Sequence, residues 1–170
     1  SYEILGPLLI TPLAAAAWYA YTGGSWPQTA IAMIVPIAYA YIVPGLGTNL
    51  LKMWRINSKF CLGGFRWQHG FLFGSSTALI ACLMLSLLEN VLGVSSTTLA
   101  VVTTSAVILA VNWLYDAAAI RRGILEVYNQ PWAEGRMPWI IAADYVVWFF
   151  GAFALIYVGG VKFSPRWLEV

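Results

Sequence analysis

Charge is what this chain has least of. Lys, Arg, Asp and Glu make up 9% of its 170 residues, against about 25% in an average soluble domain. Metal-binding side chains are also scarce. There is one histidine, His69, and there are two cysteines, Cys61 and Cys82. A single histidine excludes a bis-histidine haem within the chain. The cysteines do not have the spacing of a zinc or iron–sulfur site. Any cofactor is therefore unknown, with no haem or iron–sulfur ligand set to hold it. Cys82 lies in an apolar run and reads as a small packing residue. A net charge of +2 is too small to imply nucleic acid as a partner.

Apolar residues take the place of the missing charge. They form 61% of the sequence, and the mean hydropathy is +0.76. They come in long runs such as "TLAVVTTSAVILAVNWLY", without the alternation that a transmembrane β-barrel requires. The expected fold is all-α: a polytopic integral membrane protein, one compact domain of about five transmembrane helices. The spans read as residues 4–22, 27–47, 70–94, 97–120 and 138–160. Each is long enough to cross a ~30 Å hydrocarbon core at ~1.5 Å per residue. Pro7 and Pro12 predict a kinked or partly interfacial start to the first span, and Pro36 and Pro44 interrupt the second. Serines and threonines in "VSST" are placed to cap the fourth.

Basic residues predict the orientation. Lys52, Arg55, Lys59 and Arg66 fall in the loop 48–69, and Arg121, Arg122 and Arg136 in the loop 121–137. These loops and the N-terminus are expected on the cytoplasmic side of a bacterial inner membrane or an organellar equivalent. Trp and Tyr near the span ends, Trp18, Trp113 and Trp139 among them, read as an interfacial aromatic belt. Trp148, Phe149 and Phe150 lie mid-span and are expected to face lipid, a partner helix or an apolar cofactor. The stretch "TNLLKMWRINSKF" puts Leu50, Leu51 and Trp54 on one helical face and predicts a short interfacial helix.

Ionisable residues at membrane depth are functional candidates, because burying an unpaired one is costly. Asp116 and Asp144 are the candidate catalytic acids or bases. Arg66, His69, Asn112, Arg121, Arg122 and Arg136 are candidate substrate-binding residues on the same side. Arg121 is poorly placed for Asp116 on a straight helix, whereas Arg122 and Glu126 have the i, i+4 spacing of a pair. Glu89 stands near the opposite end. The plain alternative is an interfacial charge layer that holds loops together.

Motif tests fail. Asp116 and Arg121 have the spacing that opens the CDP-alcohol phosphotransferase signature. The glycine after the aspartate and the later paired aspartates are absent, so that resemblance is rejected. There is no histidine box, Walker motif or Gly-x-Ser-x-Gly. Composition and small residues at packing positions favour a subunit of a larger membrane complex, with a structural or cofactor- and lipid-packing role. Its expected partners are the lipid bilayer and other membrane subunits or a second copy. One alternative is a small enzyme acting on a lipid or isoprenoid substrate, with Asp116 or Asp144 as acid or base. Another is a proton-coupled carrier working as a dimer.

Overall fold

The computed structural model describes residues 4–57, 61–62 and 65–163, with backbone alone at 61–62 and 65–66. Lys59, the Arg66 side chain, Arg166 and Trp167 lie outside the described residues. Four helices are long and apolar enough to cross a membrane: α2 (Trp26–Leu50), α3 (Gly70–Val91), α4 (Thr97–Arg121) and α6 (Pro138–Phe163). They reproduce four predicted spans to within a few residues. The first span folds as the eleven-residue α1 (Thr11–Tyr21) with a wide π-type turn, Gly6–Ile10, before it. With Leu5 the helical run is ~26 Å long at ~1.5 Å per residue, shorter than the four long helices, and it reaches from Leu72 to Glu89 along α3. Serines start two of the long helices. Ser25 Oγ accepts from the Gln28 N–H of α2, and Ser96 Oγ from the Leu99 N–H of α4.

Proline and wide turns set the shape of the bundle. Pro36 has no N–H, so the carbonyl of Ala32 loses its helical donor. The Tyr157 hydroxyl of α6 donates to that carbonyl at 2.7 Å. Wide turns at Leu46–Leu50, Gly70–Gly74, Leu87–Val91 and Val147–Ala152 also disturb the ladder. Side chains meet carbonyls there: Ser76 Oγ donates to Leu72 at 2.6 Å, and the Tyr39 hydroxyl to Phe149. At Gly74 the backbone of α3 lies directly on Pro36 and Ile37 of α2, where a Cβ has no room.

Trp18 corrects the belt reading. It is fully buried, and its indole Nε1–H donates to the Ala78 carbonyl at 2.8 Å. A tryptophan whose one polar atom finds a buried partner behaves as a core residue. It anchors α1 to α3 inside a cluster with Ala14, Ala81 and Leu85. Cys82 is buried in the same cluster.

At one end a small sheet joins the two basic loops. Strand β1 (Trp54–Ile56) pairs antiparallel with β4 (Leu125–Val127), Arg55 opposite Glu126. Between them in sequence lies a two-stranded hairpin, β2 (Cys61–Leu62) and β3 (Phe65–Arg66). The two basic loops therefore lie on the same side of the bundle. The sheet overturns the predicted interfacial helix. Lys52 takes a positive φ of 54°, which ends helical continuation after Leu51. The chain then gains ladder bonds to β4 that a lone amphipathic turn lacks. The Arg122–Glu126 pairing fails for a related reason: α4 stops at Arg121, and Gly123 turns the chain at φ 68°. Glu126 instead accepts from Asn57 Nδ2 at 2.9 Å and from the Tyr128 hydroxyl at 2.7 Å. A short helix, α5 (Gln130–Ala133), links the sheet to α6. At the opposite end Lys162 meets Glu89 at 2.6 Å, and Tyr21 donates to the same carboxylate at 2.7 Å.

Two measurements test this frame. Gly74→Val is expected to lower the melting temperature in detergent, by overpacking worth about 1–3 kcal/mol. Gly160→Ala, where a Cβ meets nothing within 4 Å, is the open-site control and should not lower it. Second, the Tyr128 and Asn57 hydrogen bonds hold the half-buried Glu126 carboxyl below the usual carboxylate range. A depressed folded value means that its contribution is complete above the ordinary carboxylate value and is lost as pH falls through the lowered one. Protection of the Asn57 and Tyr128 amides, relative to their intrinsic exchange at each pH, should therefore fall in acid. Glu126→Gln should remove that pH dependence.

Candidate functional site

Beneath the sheet lies a cavity of about 90 Å³. One ordered water needs roughly 10–15 Å³ by this measure, so the space exceeds a single solvent site. Its floor is apolar and aromatic, with Phe149, Phe150 and Phe153 of α6 and Phe73 of α3. Its roof is the sheet, through Trp54, Ile56 and Leu125. The wide turn at Val147–Ala152 separates the three mid-span aromatics. Phe149 and Phe150 turn to the cavity, while Trp148 is 73% exposed on the outer surface.

One carboxylate enters this wall. Asp116 is 8% exposed, and its Oδ2 accepts from the Tyr145 hydroxyl at 2.6 Å. The elements explain the meeting. Asp116 lies five residues before the end of α4 and Tyr145 seven residues after the start of α6. The two helices pack side by side and run in opposite directions, which brings these positions to similar depth. Ile141, Ala142 and Val146 are buried with Tyr145 and fix that face of α6 inward. Tyr145 also lies near Trp54 of the sheet, ring centroids 5.9 Å apart. An O–H···O bond of this length is at the short end of the range, and the low dielectric around it increases both its strength and the cost of losing it.

The predicted candidates divide. Asp116, Asn112 and His69 all line the cavity. Asn112 spends its Nδ2 on the Ile108 carbonyl, 2.8 Å away and one turn earlier. His69 lies against the Phe73 ring, centroids 4.4 Å apart, and Phe73 in turn meets Tyr115 edge-on. Asp144 is exposed and accepts from Asn129 Nδ2 at 3.0 Å, outside the cavity. Arg136 pairs with Glu134 at 3.0 Å. Arg121 and Arg122 stand on the outer face of α4, beside the start of α6. The sequence reading missed Tyr145. Its available signal was an aromatic hydroxyl on the buried face of α6, at a depth matching Asp116. Among the described residues no three His, Cys, Asp or Glu side chains come together as a metal site.

Removing the acceptor should cost more than altering the exposed acid. Asp116→Ala leaves the buried Tyr145 hydroxyl without its partner and is expected to destabilise the protein by about 1–3 kcal/mol. Asp144→Ala should stay within about 0.5 kcal/mol. Thermal unfolding of both variants in one detergent decides the point, and equal losses would refute the assignment.

Comparison with known proteins adds no analogy to this geometry: the chain matches no protein-family model, no curated protein and no solved structure.

Proposed function

We propose that the protein binds an amphipathic, mainly apolar molecule of lipid or isoprenoid type within its own bundle, and that Asp116 handles a proton at the molecule's polar end. The observation that carries this reading is one buried carboxylate, hydrogen-bonded to Tyr145, on the wall of an aromatic cavity. Ligand sites are typically apolar with a few convergent polar groups, and a carboxylate there is a candidate acid or base. In its ionised form Asp116 accepts a proton from the ligand and can return it at another atom. That exchange needs no oxidant and no second substrate. The aromatic walls favour positive charge developing between them. The arginines stand outside the cavity, so the reading gives them no part in holding a phosphate there.

Extraction in mild detergent followed by mass spectrometry of the organic extract tests the proposal. Wild-type protein should carry a stoichiometric apolar molecule. Asp116→Asn and Tyr145→Phe should each reduce its retention, and Asp144→Asn should not. A wild-type extract with only bulk membrane lipid in bulk proportions would end this reading.

The second reading is a subunit of a larger membrane complex. It draws support from a stripe on the outer face of α6, Trp148, Ala152, Ile156 and Gly160, which recurs every four residues. Small residues alternating with large ones suit close helix packing in lipid. This reading predicts fixed protein partners in the same extract. Both readings put the sheet side in the cytoplasm, by the positive-inside rule. Cysteines introduced at Arg55 and Arg122 should react with an impermeant reagent only from that side, and one introduced at Ser95 only from the other.

A further inference from the structure

Arg121 and Arg122 are cations that the bundle leaves unmatched. Neither has an ion-pair partner among the described residues. The nearby acids are engaged elsewhere: Glu134 with Arg136, Glu126 with Asn57 and Tyr128, and Asp116 with Tyr145 in the interior. The two arginines edge an open groove of about 840 Å³ between the end of α4 and the start of α6. Ala117 and Ala118 form its floor one turn deeper, and Met137 and Trp139 form its far wall. The Trp113 indole donates to the Trp139 carbonyl at 2.9 Å, which ties the two helices together at this level. Trp139 is itself 49% exposed.

Exposed apolar side chains lie deeper on both helices. Leu114, seven residues before Arg121, shares its face of α4 and is 61% exposed, and Ile140 on α6 is 41% exposed. A ligand here meets two cations at the helix ends, an aromatic at headgroup depth and apolar side chains beyond. We propose that this groove holds one anionic phospholipid, its phosphodiester between Arg121 and Arg122 and an acyl chain along Leu114 and Ile140. Arginine suits a phosphate because its planar fork presents parallel N–H donors. Ala117 and Ala118 leave the space that larger side chains would fill. This site is separate from the cavity, and it stands whether or not the cavity binds a ligand.

Delipidated protein in detergent, titrated with phosphatidylglycerol and phosphatidylcholine of identical chains and read by native mass spectrometry, tests the proposal. A basic side chain near a membrane surface contributes about fivefold in affinity for an anionic lipid, so two arginines predict roughly thirtyfold preference for phosphatidylglycerol. Arg121→Gln with Arg122→Gln should abolish the preference at an unchanged melting temperature. Each single variant should lower it by about fivefold, which keeps the test open if the double variant fails to fold. Arg136→Gln, at an arginine already paired, should retain it. Inorganic phosphate should not displace the lipid. Equal retention of the two lipids by wild-type protein overturns the proposal, as does a preference that survives the double variant. Full displacement by phosphate overturns it too, by revealing a simple anion site.

Discussion

The hydrogen bond from the Tyr157 hydroxyl to the Ala32 carbonyl expresses the constraint on which the rest of this bundle depends. Inside a bilayer no water is available to satisfy a freed backbone group. Pro36 frees one at the centre of α2, and a tyrosine from α6 closes it. The same solution recurs where the ladder of α6 widens, with Tyr39 of α2 at Phe149. These bonds fix both position and rotation. They hold α6 against α2 so that Phe149, Phe150 and Phe153 face the interior, and the cavity exists because the helices are held there.

The site is built by separating charges. Asp116 is taken inside and given one neutral donor. Asp144, one residue before Tyr145 on α6, points out to Asn129. Neighbouring residues on a helix diverge by about 100°, so one position decides whether a carboxylate is a cavity wall or a surface tether. Arg121 and Arg122 go to the outer rim. A chain with so few charges places Lys52, Arg55, Arg121, Arg122 and Arg136 at the sheet end and admits one carboxylate to its interior cavity.

The sequence made the membrane architecture legible because hydrophobic length and proline and glycine punctuation are local properties. Four spans, the serine caps and the common side of the two basic loops could all be read that way. The sheet could not, because β1 and β4 are each three residues long and pair across two intervening helices. Lys52 at positive φ was equally invisible. Trp18 read as a belt residue because span-end aromatics usually are, and only the Ala78 carbonyl across the interface makes it a core residue. Depth and side singled out Asp116, Asn112 and His69, three residues that line the cavity. Tyr145 needed the relative rotation of α4 and α6, which single-chain periodicity does not carry.

The sheet also imposes an order on biosynthesis. About seventy residues separate β1 from β4, and at ~5–20 residues per second the first strand waits several seconds for its partner. During that interval α3 and α4 must be threaded through the bilayer before the roof can close over Trp54 and Ile56. The chamber below is complete only when α6, which follows the second basic loop, brings Tyr145, Phe149, Phe150 and Phe153 beneath the sheet.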